Sequence, residues 1–245
     1  MAPEPVERKV ALITGANKGI GLEIARQLGR QGMTVFVGAR DAGRGREATE
    51  GLRSEGINAY LIRLDVTSQA TIDQVARRLE EEFGRLDTLV NNAGIFIDDA
   101  PPSGLDMEVL RRTYETNVFG PVAVTKAMLP LLRKSSAGRV VNMSSGLASL
   151  TLASDLGWEF AAINLLAYNS SKSALNAVTV QFAKELRDTP IKVNAADPGY
   201  TATDLNNYQG TRHVEQGARA AVRLATLPAD GPTGGFFDED GPLPW

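Results

Sequence analysis

Short apolar runs, rich in β-branched residues, alternate along the chain with longer stretches in which apolar residues recur every three or four positions. The short runs are VALIT (10–14), TVFVG (34–38), AYLIRL (59–64), LDTLVN (86–91), RVVNM (139–143) and IKVNAA (191–196). They are apolar almost without interruption, which predicts strands covered on both faces rather than strands with one wet face. Between them, GIGLEIARQLGRQ, RGREATEGLRSEG, TIDQVARRLEEEFG, MEVLRRTYETNVFGPVAVTKAMLPLLRK and AYNSSKSALNAVTVQFAKELRD carry the helical period. Alternation of this kind implies right-handed βαβ crossovers, hence an α/β fold with a doubly wound parallel sheet and helices on both faces. No Gly-, Pro- or Ser-rich linker and no internal repeat interrupts it, so residues 9–245 are expected to form one domain, preceded by a flexible tail over 1–8.

Two segments break the rhythm. GLASLTLASDLGWEFAAINLL (146–166) is irregular, and GYTATDLNNYQGTRH (199–213) is polar with two tyrosines, reading as a mobile loop or short helix. Both follow strands, and in a doubly wound sheet ligands bind beyond the carboxyl ends of the strands, so these segments are candidates for a substrate lid. Phe96, Ile97, Leu147, Trp158, Phe160, Tyr200 and Tyr208 lie in the segments that should surround the reacting centre, which suits a bulky apolar or aromatic substrate.

Composition narrows the function classes. The chain is 43% hydrophobic and 22% charged with a net charge of −3, which gives no general attraction to nucleic acid or anionic membrane. No apolar run approaches the roughly 20 residues needed to cross a bilayer. The absence of cysteine excludes disulfides, thiol nucleophiles and thiolate metal sites, and is compatible with a reducing compartment; the expected location is cytoplasmic. The single histidine, His213, has no histidine partner and reads as a loop residue, and FDED (237–240) reads as a solvated terminus, so no metal is expected.

Candidate chemistry begins at the first strand, which runs into TGANKGIG (14–21). Gly15, Gly19 and Gly21 let the backbone turn tightly and approach a pyrophosphate at the following helix N-terminus, where unpaired N–H groups and the helix dipole favour an anion. This is the phosphate end of a Rossmann-type dinucleotide site. About twenty residues on, where an acid would take the ribose hydroxyls of NAD, the second strand ends in Arg40, with Asp41 displaced by one. Arg40, with Lys18 and Arg44 nearby, suits a 2′-phosphate, so NADP(H) is expected over NAD(H). Asp65, ending the third strand, is positioned to accept from an adenine amino group or to cap a turn. In AYNSSK (167–172), Tyr168 and Lys172 are four apart on one helix face, within mutual reach. A free phenol, with pKa about 10, is a slow proton partner near neutral pH, and an adjacent ammonium is expected to lower that value.

Together TGANKGIG, LDV (64–66), NNAG (91–94), Asn117, MSS (143–145), YNSSK and DPGYTATD (197–204) resemble, in order and spacing, the motifs of the classical short-chain dehydrogenase/reductase family; the GGFFDEDGPLPW ending is similar to its carbonyl-reductase-like branch, which uses NADPH. The resemblance implies that Tyr168 is a proton donor, that Lys172 tunes it and holds the nicotinamide ribose, that Ser145 rather than Ser144 orients a carbonyl oxygen, and that Asn117 holds a water in a proton relay. It also implies cofactor contacts from Asn17, Lys18 and Ile20 among the loop glycines, from Leu64, Asp65 and Val66, from Asn91, Ala93 and Gly94 at the nicotinamide ribose, and from Pro198, Gly199, Thr201 and Thr203 around the carboxamide and diphosphate. The implied partner is a small carbonyl or alcohol, reduced or formed reversibly. A different class of reading, a non-catalytic NADP(H)-binding sensor on the same fold, is opposed by the intact Ser, Tyr, Lys and Asn set. Ser145 and Tyr168 stand further apart than in the shortest family members; the extra residues fall in 146–166, and a monomer or homodimer is expected rather than a tetramer.

Overall fold

A computed structural model describes residues 8–245; residues 1–7 of the expected tail lie outside the described residues. Six strands form where the apolar runs predict them: β1 (Val10–Thr14), β2 (Thr34–Ala39), β3 (Ala59–Arg63), β4 (Thr88–Asn91), β5 (Arg139–Met143) and β6 (Lys192–Ala196). A seventh, β7 (Phe236–Phe237), pairs beside β6. They build one sheet in the order β3-β2-β1-β4-β5-β6-β7, with every ladder parallel. The chain winds outward from β1 in one direction and from β4 in the other, so the crevice between these two is the switch point at which a ligand is expected.

Strand alternation divides the core. On β1, Ala11 and Ile13 face a cluster with Ile24 and Leu28 of helix α1 (Gly19–Arg30), whereas Val10 and Leu12 face the opposite cluster with Ile72 and Leu79 of α3 (Gln69–Phe83) and Met128 of α5 (Gly120–Leu132). This two-sided burial is why the strands read as continuous apolar runs. Helix α2 (Ala42–Ser54) joins β2 to β3, and α7 (Leu166–Glu185) joins the β5 end to β6. No helix among the described residues is long and apolar enough to cross a membrane.

The long periodic segment from Met107 is not one uniform helix. It runs as α4 (Met107–Tyr114), a π turn (Glu115–Phe119) and α5. Pro121 has no N–H to return to the preceding turn, and the Gly120 N–H reaches back five residues to the Glu115 carbonyl, which absorbs one extra residue. Gly120 is needed here, because a Cβ would stand 2.9 Å from the Val66 side chain at the end of β3.

The two irregular segments acquire structure. Residues 146–166 contain a 3-10 turn (Gly146–Ala148) and the short α6 (Leu150–Ala153). Residues 199–213 hold a 3-10 turn (Asp204–Asn206) and a bridge between Thr201 and Arg212, and short α8 (Val214–Gly217) and α9 (Arg219–Ala225) follow. The FDED reading is corrected: Phe237 belongs to β7, and Glu239 is paired with Arg212 at 3.3 Å and Arg219 at 3.1 Å rather than solvated alone. Parallel pairing of β7 brings this acidic run over the positive side chains of α9 and the preceding loop.

Candidate active site

A cleft of about 410 Å³ opens at the carboxyl ends of β1, β2, β3 and β4. Its floor is the glycine turn. Gly15 adopts φ +63°, and a Cβ there would stand 2.9 Å from the Ala93 Cα; a Cβ on Gly21 would stand 2.3 Å from Asn92 Nδ2. Only bare backbone fits, and it leaves a cradle at the α1 N-terminus suited to a pyrophosphate. Asn92 holds the turn from across the switch point, donating from Nδ2 to the carbonyls of Thr14 (2.9 Å) and Gly15 (3.1 Å).

The expected cofactor residues Asn17, Lys18, Gly19, Ile20, Arg40, Arg44, Leu64, Asp65, Val66, Ala93, Gly94 and Thr203 all line this cleft. Asn91 does not. Its side chain is 2% exposed and turns inward, donating to Thr125 Oγ1 at 3.0 Å and Asn142 Oδ1 at 2.8 Å, while the adjacent Asn92 faces the cleft. Neighbouring residues at a strand end point to opposite sides, and the motif alone does not say which side is wet. Thr201 is also buried, its hydroxyl donating to the Pro198 carbonyl at 2.9 Å.

At the outer end, Lys18, Arg40 and Arg44 supply three cations. Asp41 caps α2, its Oδ1 accepting the Arg44 N–H at 2.9 Å, and this backbone contact, ahead of the Arg44 charge, holds its carboxyl below the usual range. Asp65 Oδ1 accepts from both the Thr67 N–H (3.0 Å) and the Thr67 hydroxyl (2.7 Å), so the turn-capping role is filled by one oxygen. Lys18 pairs with Asp204 across the cleft mouth.

Deeper, Tyr168 and Lys172 sit one turn apart on α7, with the Lys172 Nζ 5.7 Å from the Tyr168 ring centroid. Lys172 is 5% exposed and donates to the Met143 carbonyl at 2.8 Å. Gly94 closes over it: a Cβ there would stand 3.4 Å from Lys172 Nζ and 3.3 Å from Asn117 Oδ1. Of the two serines after β5, Ser144 turns inward and donates to Asn176 Oδ1 at 2.6 Å, whereas the Ser145 hydroxyl acts on the Tyr168 phenol, favouring its ionised form. Asn117 lies in the π turn, fully buried. Its Oδ1 accepts the Ile95 N–H at 2.8 Å, and its Nδ2 donates to the Ile95 carbonyl at 2.9 Å and to Ser171 Oγ at 3.1 Å.

The charge states differ from the sequence expectation. Burial, and secondarily the Asp197 carboxylate, push the Tyr168 phenol up to about 12, opposed only by the Ser145 hydroxyl. Burial pushes Lys172 down to about 8. Helical spacing establishes reach but not direction: the Lys172 ammonium is directed at a backbone carbonyl, and desolvation of the phenol prevails. Asp197, not singled out in the sequence, accepts the Gly199 N–H at 3.0 Å, and burial raises its own carboxyl.

Two groups of aromatic side chains stand in this region. Phe96 packs 5.5 Å from the Tyr168 ring, and Trp158, Phe160 and Tyr200 form an edge-on chain with centroid separations of 5.3 and 6.2 Å. Trp158 reaches the serine turn, lying 3.7 Å from where a Gly146 Cβ would be. Leu147 is part-buried in the same turn, its N–H 3.3 Å from Ser145 Oγ. Ile97 instead lines the cofactor cleft, and Tyr208, 71% exposed, stands outside the aromatic chain. His213 precedes α8, and no cluster of metal-ligating side chains occurs among the described residues.

The sequence model of the short chain dehydrogenase family matches residues 9–213. The chain is 34% identical to carbonyl reductase (NADPH) 1 of Rattus norvegicus, covering 98% of this chain and 97% of the relative. It is 36% identical to (+)-neomenthol dehydrogenase of Arabidopsis thaliana, covering 94% and 95% respectively. Among solved structures, the NADPH-bound carbonyl reductase from chicken fatty liver superposes with a TM-score of 0.86 at 27% identity, covering 98% of this chain and all (100%) of that one.

Proposed function

Because the chain belongs to the short-chain dehydrogenase family, and is thus an oxidoreductase, we propose that it uses NADPH to reduce a bulky, aromatic or polycyclic ketone or aldehyde, with Tyr168 as the proton donor. The observation that carries this reading is the placement of the buried Lys172 one turn from Tyr168 on α7, with the Ser145 hydroxyl acting on the phenol, the Phe96 ring packed against it, and the Trp158, Phe160 and Tyr200 chain reaching the serine turn. The naming of similar proteins for carbonyl and NADPH chemistry supports the same choice.

The Gly15–Gly21 turn would hold the diphosphate of NADPH against bare backbone, and Arg40, Arg44 and Lys18 would give its 2′-phosphate charge-assisted hydrogen bonds; the cofactor, when bound, would supply the hydride. Ser145 holds the carbonyl oxygen and directs it to the phenol. With its pKa raised to about 12, the phenol is fully protonated at neutral pH, and an alkoxide is a strong enough base to take its proton. Lys172 and Asn117 stand behind the phenol as the route by which that proton is replaced, Lys172 being poised near 8 to change charge close to working pH.

Tyr168→Phe removes the transferable proton and little else. It is expected to bind NADPH with unchanged affinity and to lose nearly all NADPH oxidation by menadione and acetophenone, followed by absorbance; substantial remaining turnover would show that the donor lies elsewhere. The same assay on the unaltered chain separates a reductase from a non-catalytic cofactor binder.

A further inference from the structure

We propose that Asp98 is a positioning residue for Tyr168, acting as the missing cap of the catalytic helix from a distant loop; this rests on the reading of Tyr168 as proton donor. A helix leaves its first N–H groups unpaired, and a side chain at the N-cap position normally accepts from the second or third of them. Helix α7 has Leu165 at that position, with no side-chain acceptor. The two donors are taken instead by one carboxylate. The Ala167 N–H donates to Asp98 Oδ2 at 2.8 Å, and the Tyr168 N–H donates to Asp98 Oδ1 at 3.0 Å. A carboxylate at a helix N-terminus is favoured by both the hydrogen bonds and the helix dipole.

What distinguishes this cap is where it comes from. Asp98 follows β4, in the segment whose Ile95, Phe96 and Ile97 line the cofactor cleft. That segment is fastened to the catalytic helix at three places. Asn117 grips both the N–H and the carbonyl of Ile95 and donates to Ser171 Oγ, which itself donates to the Tyr168 carbonyl at 2.7 Å. The Phe96 ring packs against the Tyr168 ring. Asp98 completes the set by holding the backbone N–H of Tyr168 itself. Cofactor-lining loop and proton donor are thereby kept in one frame, and a cap supplied within α7 would stabilise the helix without making that tie.

The test uses this difference. Asp98→Ala, Asp98→Ala combined with Leu165→Asp, and Tyr168→Phe are compared for thermal unfolding, NADPH binding and kcat with NADPH and menadione. Leu165 already has the extended backbone of an N-cap residue (φ −112°, ψ 90°), so an aspartate there can cap α7 locally. Asp98→Ala is expected to lose about 10- to 100-fold in kcat, the scale of a displaced catalytic group, with NADPH affinity unchanged. Adding Leu165→Asp should restore the unfolding temperature and leave kcat low. Full kcat in Asp98→Ala, or recovery of kcat with the local cap, would overturn the proposal. If Asp98→Ala does not fold, Asp98→Asn, which keeps one acceptor, should show a reduced kcat, and an unchanged one refutes the tie. Turnover surviving in Tyr168→Phe brings down the donor assignment and this inference with it, whereas loss there beside full turnover in Asp98→Ala brings down only the role of Asp98.

Discussion

Replacing Arg40 by alanine should separate the two nicotinamide cofactors. Arg40 is exposed at the end of β2, beside the cleft, with no ion-pair partner among the described residues, whereas the Arg44 guanidinium is shared with Asp41 at 3.5 Å. Asp41, one residue past the position where an NAD-type acid would stand, is committed to capping α2 and is held ionised there. The end of the cleft therefore offers Arg40 as the group most available to a 2′-phosphate. A hydrogen bond involving a charged group contributes about 1.5 to 3 kcal/mol, the lower end suiting an exposed single contact and the upper a bidentate one. That range corresponds to roughly 10- to 150-fold in the NADPH dissociation constant. NADH, with no phosphate at that point, should bind Arg40→Ala as it binds the native chain. Fluorescence titration of both cofactors against both proteins reads the two ratios directly, and the NADPH loss should shrink in high salt as the charge is screened. Arg44→Ala should cost less, because its guanidinium already has Asp41. Equal weakening of NADPH and NADH in Arg40→Ala, or a native kcat/KM for NADH matching that for NADPH, would refute the assignment.

Beneath the cleft, Asn142 accepts from Asn91 Nδ2 at 2.8 Å and donates to Thr179 Oγ1 at 2.8 Å, all buried; Asn142→Ala should lower the unfolding free energy by about 2–4 kcal/mol through an orphaned donor and a small cavity, measured as a lower denaturant midpoint at unchanged slope. A loss under about 0.5 kcal/mol would mean the network relaxes or takes in water. Lys172 gives a pH dependence of stability. Its folded pKa of about 8 lies below the ordinary 10.5, so between these values the unfolded chain binds more protons and stability should rise with pH, a slope that Lys172→Met removes. A native slope that is flat from pH 8 to 10, or unchanged in Lys172→Met, contradicts the buried ammonium.

Which features were legible in the sequence depends on how far away their physical partners lie. Strands β1 to β6 could be read because burial on both faces writes itself into each run of five or six residues, and Tyr168 with Lys172 because their contact spans one helical turn. β7 could not, since two residues carry no period, and the π turn at Glu115–Phe119 was hidden inside a repeat that tolerates one extra residue while still looking helical. The cofactor cradle was readable from its glycines because a missing Cβ is itself the signal, and Gly15 and Gly21 are confined by Ala93 and Asn92 as tightly as that signal implies. The split between Asn91 and Asn92 was not, because it is decided by Thr125 and Asn142 on other elements. The same reason explains the reversed expectation for the phenol. Spacing fixes the separation of Tyr168 from Lys172, but the sign of its pKa shift is set by burial and by Asp197 on the β6 end, neither of which any window around AYNSSK contains. Asp98 is the extreme case: an ordinary acid in an ordinary loop, whose importance exists only where the fold lays that loop against the first turn of α7. The proposed reacting groups are thus local and recognisable, while what aims and tunes them is long-range, and substitutions that leave every motif intact should still be able to silence the site.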